Sequence, residues 1–175
     1  MNSPFSITAL SSQPQVIAAL TDILIETVAN GGSVSFMHPL APQTATAFWK
    51  TSLAAADRDE RIVLGAWHGD VLIGTVTLLL DCPENQPHRA EIAKMMTRVN
   101  YRGQGVARSL MEEAERIAIS RGRTLLTLDT ATEEGAAGLY EKSGFQRTGE
   151  IPRFALKPHG GLTGTIIYWK WIGRD

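Results

Sequence analysis

A chain of 175 residues with 43% hydrophobic and 20% charged side chains is long enough to bury one sizeable core, and residues 1–175 are read as a single domain. Its formal net charge of −1 and the lack of a basic stripe disfavour a nucleic-acid-binding module, and no general attraction to an anionic membrane is expected. A single cysteine, Cys82, excludes an internal disulfide, and the scattered His38, His68, His88 and His159 give no metal-ligand spacing, so no metal is expected.

The opening "MNSPFSITALSSQPQ" has no basic region leading into a long apolar run, so no secretory signal is expected and the expected location is cytoplasmic. Within it "FSITAL" reads as a first strand. From Val16 to Asn30, apolar residues at Val16, Leu20, Ile23, Leu24 and Val28 recur at helical spacing, and Gly31-Gly32 stops the run. This helix carries Asp22 and Glu26 and is too short to span a bilayer. "SVSFMHP" follows as a loop, and Pro42 to about Ala56 reads as a second helix. "RIVLGAWHGDVLIGTVTLLL" holds two strands joined by a tight turn at His68-Gly69-Asp70. After a loop at Pro83 to Pro87, "AEIAKMMTRV" and "TLLTLDT" are further strands. Period two places Glu91, Ala93, Met95 and Thr97 on one face of the former.

Between those two strands lies a long amphipathic helix, with Val106, Leu110, Ala114, Ile117 and Ala118 as its apolar stripe. Strand, helix and strand in that order imply a right-handed crossover and a parallel pair. Glu133 to Lys142 reads as a shorter helix stopped by Gly144, and "FQRTGEI" and "TGTIIYWKWI" close the chain as strands. The sum is a mixed α/β sheet with helices on its faces.

The turn Arg102-Gly103-Gln104-Gly105, set at the start of the long helix, describes an anion site: glycine permits close backbone approach, and a helix N-terminus offers unpaired N–H groups at the positive end of its dipole. A P-loop would need a Gly-Lys-Ser/Thr ending, which is missing. A dinucleotide fingerprint would need a small third residue where Arg108 stands, although Asp129 lies at a fitting distance downstream. A third candidate is a cradle for the pyrophosphate of coenzyme A.

On that reading "RGQGVA" (Arg102 to Ala107) resembles the Arg/Gln-x-x-Gly-x-Gly/Ala motif of the GNAT superfamily of acetyl-CoA-dependent N-acetyltransferases. "AAGLYEKSGFQRTGE" (Ala136 to Glu150) is similar to the Ala-x-x-Leu-Tyr-x-x-x-Gly-Phe segment found downstream in that family. "ETVANGGSVSFM", "RAEIAKMM", "LDT" and "GEIP" extend the resemblance, most closely to the tabtoxin-resistance acetyltransferase branch, whose members acetylate a small amino-acid-like β-lactam toxin. The chain departs from the family where Val99 stands for a common proline and Glu133 for a common asparagine, whose side-chain amide often helps hold the cofactor.

The resemblance implies an α/β GNAT fold: a mixed, mostly antiparallel twisted sheet of about six to seven strands with a central parallel pair splayed by a bulge, flanked by about four helices. It implies acetyl-CoA as co-substrate, held by backbone groups of Met96, Thr97 and Val99 along the acyl arm and by Arg102, Gly103, Gln104, Gly105, Val106, Ala107 and Arg108 at the pyrophosphate. It implies Tyr140 as the proton donor beside the cofactor sulfur. A lysine-like amine of pKa about 10.4 needs roughly 4.6 kcal/mol to be neutral at pH 7, so a carboxylate must hold and deprotonate it. Glu91 and Asp129 are the carboxylates expected to do so, with their division of labour left open; the alternatives are that Glu91 pairs with Arg89 or Lys94 and that Asp129 caps the following helix. Phe36 and Met37 are expected to line the acceptor pocket. The expected acceptor is a primary amine on a small molecule; a protein or peptide amine and a non-catalytic acyl-CoA-binding module are the alternatives, and a homodimer is compatible with all three.

Overall fold

The computed structural model describes residues 4–133 and 137–174. The expected strands form as β1 (Ser6–Ala9), β2 (Arg61–His68), β3 (Val71–Leu79), β4 (Arg89–Thr97), β5 (Leu125–Ala131), β6 (Gln146–Leu156) and β7 (Leu162–Trp171). They make one seven-stranded sheet in the order β1-β2-β3-β4-β5-β7-β6. Every neighbouring pair is antiparallel except β4 and β5, which run parallel. The fold is therefore the α/β GNAT architecture that the motifs imply.

Helices cover both faces. On one, α1 (Pro14–Ala29) and α2 (Pro42–Asp57) bury Leu20, Ile23, Leu24, Trp49 and Leu53 against Val63, Leu72 and Met96. Each begins with proline in its first turn, where the missing N–H has no helical partner to lose, and this sets α1 two residues ahead of its apolar periodicity. On the other face, α3 (Val106–Ser120) buries Val106, Leu110, Met111, Ala114 and Ala118 against Leu64, Ile73, Val76, Ile92 and Leu126. The short α4 (Ala137–Lys142) adds Tyr140 to that core. Its expected first turn falls partly on residues 134–136, outside the described residues.

The approach of α3 to the sheet is set at Gly74 of β3. A Cβ there would stand 2.8 Å from Val106 Cγ1 and 3.0 Å from the Met96 carbonyl oxygen. Gly74→Ala is thus expected to lower unfolding stability by about 1–3 kcal/mol through overpacking, and to loosen acetyl-CoA binding because Val106 opens α3. Denaturant unfolding with and without acetyl-CoA measures both; a variant as stable as the parent would show that α3 is free to shift.

Two irregularities shape the centre of the sheet. The parallel pairing of β4 with β5 covers only Arg89↔Leu125, Ala90↔Leu126 and Glu91↔Thr127, after which the strands splay. On its other side β4 pairs Ala93 with Thr77 and Met96 with Thr75, so Lys94 and Met95 stand opposite the single Val76. This is a β-bulge, with Lys94 at φ +52°, a left-handed conformation that costs a non-glycine residue about 1–2 kcal/mol. The extra residue reverses the alternation: Met95 packs with the α3 core and Met96 with the α1/α2 core. The expectation that Glu91, Ala93, Met95 and Thr97 share one face is corrected accordingly.

At the far edge, β6 runs five residues beyond the expected end at Ile151, through Pro152 to Leu156. Proline is tolerated because β6 is an edge strand, where a missing donor breaks no central ladder. A register shift between Ile151 and Ala155, with Arg153 at φ +53°, absorbs the irregularity.

Candidate active site

The glycine turn forms at the start of α3, where it is expected. Gly103 and Gly105 have φ +73° and +85°, and Gly105 caps α3 without any side-chain hydrogen bond to the helix. A Cβ at either glycine would meet nothing within 4 Å, so their backbone faces open space rather than a packed neighbour. The first N–H groups of α3 are left for a ligand. From here a groove of about 420 Å³ runs between the splayed strands and the end of α1, lined by Gly31, Met95, Met96, Thr97, Arg102, Ala107, Thr130, Glu133 and Tyr140 among others. Arg102 and Ala107, on either side of the glycine turn, line its near end, so a pyrophosphate at the turn and an acyl arm along the groove fit coenzyme A.

Other expected cofactor residues are placed differently. Val99 is not at an extended strand end but opens a 3-10 turn, Val99–Tyr101, and its N–H donates to Glu26 Oε2 at 3.1 Å. Without proline at this position, the N–H exists and is taken by a side chain. The Val106 side chain is core. Gln104 donates from its side-chain amide to the Asn100 carbonyl at 3.0 Å. Arg108 pairs with Glu112 at 2.8 Å and lines a separate cleft of about 670 Å³ between α3, α4 and β7. That cleft is larger than the groove, but its Arg116 and Lys170 are likewise paired, with Glu113 and Glu115, and it holds neither acidic candidate nor Tyr140. Glu133 is an exposed turn residue paired with Lys157 at 3.0 Å.

On the acceptor side, Asp129 is exposed, within β5 rather than at a helix cap, and its Oδ2 accepts from Thr165 Oγ1 at 2.9 Å. Glu91, one strand over, is held by Arg89 Nη1 at 3.2 Å, and the same nitrogen donates to Thr127 Oγ1 at 2.9 Å. Both carboxylates line one cavity of about 250 Å³ with Ile151, Phe154 and Ile167. Asp129 also lines a tighter cavity of about 120 Å³ with Ser33, Ser35, Lys94 and Tyr140. Tyr140 is buried against Phe145 and Tyr168, and it lines both that cavity and the long groove. Two clefts, one with a carboxylate and one with an anion cradle, therefore share a tyrosine wall.

The loop between α1 and α2 roofs the acceptor side. Phe36 packs edge-on against Phe48 at 5.3 Å and lines a further 120 Å³ cavity with Asp129 and Phe154. Met37 is 46% exposed and lines none of these cavities. The loop is tied to the β6–β7 turn by the His38 N–H donating to the Pro158 carbonyl at 2.9 Å and by the His38 and His159 rings, 4.4 Å apart. Lys94 enters the site without having been expected there. Its Nζ donates to Ser35 Oγ at 3.1 Å and stands 5.7 Å above the Phe48 ring, and burial pushes its pKa down against the opposing pull of Asp129 and Glu91.

Among the described residues there is no group of three or more His, Cys, Asp or Glu able to hold a metal ion. Nor is any helix among them long and apolar enough to cross a membrane.

Comparison with known proteins agrees with this geometry. The profile of the Acetyltransferase (GNAT) family matches residues 26–145. A streptothricin acetyltransferase of Escherichia coli is 30% identical over 136 residues, 76% of this chain and 75% of that protein. Among solved structures, YncA of Salmonella typhimurium with its cofactor acetyl-CoA superposes with a TM-score of 0.79 at 15% identity, over 99% of this chain and 96% of that one. An aminoglycoside 6'-N-acetyltransferase complexed with coenzyme A gives 0.75 at 17% identity, over 97% and 98%. The family match reaches from Glu26 in α1 to Phe145 and so takes in the bulge, the cradle and the strand bearing Asp129; the chain belongs to the GNAT family and is an acetyl-CoA-dependent N-acetyltransferase.

Proposed function

We propose that this enzyme acetylates a primary amine on a small, amino-acid-like molecule, of the kind found in β-lactam toxins and antibiotics, by direct attack in a ternary complex. The observation that carries the reading is the tyrosine wall: Asp129 and Tyr140 line a cavity of about 120 Å³ that shares Val34, Met95, Thr130 and Tyr140 with the long groove. A cavity of that size, beneath a loop anchored at His38, suits a small acceptor. The streptothricin and aminoglycoside acetyltransferases lend the small-molecule reading support by their names. A role in toxin resistance and a cytoplasmic setting go with it, the lone cysteine suiting a reducing compartment.

Acetyl-CoA supplies an activated acetyl thioester when bound, and Gly103, Gly105, the first N–H groups of α3 and Arg102 would hold its pyrophosphate. The chain's own residues then manage the proton. Asp129 binds the acceptor ammonium and takes its proton at a carboxylate oxygen, directly or through one water. It is suited to this because Thr165 occupies one lone pair of Oδ2 and leaves the rest of the carboxylate to the cavity. Glu91, already engaged by Arg89, anchors the ammonium by charge from the neighbouring strand. Tyr140 holds a proton at Oη on the cofactor side of the same wall.

Thiol release from acetyl-CoA, measured against amino acids, β-lactam-type analogues, polyamines, aminoglycosides and short peptides, tests the reading. Turnover confined to small amino-acid-like amines is the expected result. Turnover of peptides alone would establish the protein-acetylating alternative. Silence on all of them, with acetyl-CoA still raising Tm, would leave a binding module and overturn the proposal.

A further inference from the structure

We infer that Lys94 is the specificity residue of the acceptor site, binding an anionic group, most simply a carboxylate, on the same small molecule whose amine meets Asp129. The inference rests on the small-molecule reading above and narrows it to acceptors that carry both charges.

The bulge on β4 exists at the cost of a left-handed lysine, and its effect is to deliver that side chain to the acceptor cavity. In a straight strand, Lys94 would share the face of Ile92 and Met96, both buried. Instead Nζ sits beneath the roofing loop, with Ser35 Oγ at 3.1 Å and the Phe48 ring on one side. Among the described residues no carboxylate oxygen lies within 4.0 Å of it, although two carboxylates line the neighbouring cavity. Glu91 is paired with Arg89, and Asp129, which accepts one hydrogen bond from Thr165, stands beyond ion-pair distance of Nζ. Within the protein this half-buried ammonium has Ser35 as its one hydrogen-bond partner among the described residues, and burial penalises its charge. An incoming carboxylate would supply the missing acceptors and restore the charged form.

The charge pattern discriminates between acceptors. Lys94 and Asp129 line the same 120 Å³ cavity, so an amine and a carboxylate a few bonds apart can meet both at once. A polyamine would bring a second cation against Lys94, and an amide would leave the ammonium partly unpaired.

The test uses the full chain with acetyl-CoA and three matched sets of acceptors: proteinogenic L-α-amino acids, their carboxamides and the amines left on removing the carboxyl group. The parent enzyme is expected to prefer the acid over its amide by roughly 100-fold in kcat/KM, the range for a desolvated charge pair. In Lys94→Met that ratio is expected to fall to near one, and Lys94→Arg is expected to recover part of it. The rise in Tm on adding acetyl-CoA confirms that each variant is folded. Equal turnover of acids, amides and amines by the parent, or an unchanged ratio in Lys94→Met, would overturn this inference while leaving the acetylation of small amines standing. No turnover of any amine would overturn both.

Discussion

Asp129→Asn is expected to lower kcat/KM for the amine acceptor by about 100- to 10,000-fold at pH 7, the usual range for losing a general base. The amide is isosteric and keeps an oxygen for the Thr165 hydroxyl, so the geometry of β5 survives while the negative charge and the proton-accepting oxygen are lost. Glu91→Gln is expected to do much less, about tenfold, because the Glu91 carboxylate is already bridged to Arg89 and acts on the ammonium only through its charge. The rise in Tm on adding acetyl-CoA should be the same in both variants, since neither residue lines the long groove. A larger loss from Glu91→Gln than from Asp129→Asn would reverse the two roles. Full activity in both would place the chemistry elsewhere.

That asymmetry belongs to tertiary structure. In the sequence, Glu91 and Asp129 are two acidic residues on adjacent parallel strands with no means of ranking them; what separates them is Arg89, two residues before Glu91 on the same strand, and Thr165 across on β7. The backbone of the glycine turn was legible because Gly-x-Gly before an amphipathic helix supplies the positive φ that starts α3. The sheet and α1 to α3 were legible from periodicity for similar reasons. The family resemblance implies a bulge beside the parallel pair, but its place at Lys94 was not read, although a signal was present. Ala90, Ile92, Lys94 and Met96 have the same parity, and three of the four are buried, so a lysine among them contradicts a regular strand. A bulge resolves the contradiction, and it is what brings Lys94 to the acceptor side and turns Met95 away from Glu91. Likewise, Pro152 seemed to end β6 only because the strand's place at the edge of the sheet cannot be seen along the chain.

Replacing Gly105 separates two reasons for a glycine that coincide in the native cradle. Its φ of +85° disfavours any residue with a Cβ, and its outer face opens on solvent rather than on a neighbouring atom. Gly105→Ala meets the first obstacle and is expected to lose about 1 kcal/mol of stability. Gly105→Asn tolerates the left-handed conformation and should lose less. If the open face is where the pyrophosphate lies, both variants must lose acetyl-CoA affinity, by about 30- to 100-fold for the weakening of one or two charge-assisted N–H contacts. The loss should be no smaller for asparagine, whose side chain is the bulkier obstruction. Calorimetric titration with acetyl-CoA, set beside denaturant unfolding of the same samples, distinguishes the effects. Affinity loss that tracked stability loss, with asparagine binding as well as glycine, would mean that the turn only starts α3. Loss in both, against opposite ranks in stability, would mean that the backbone at Gly105 is itself the anion site.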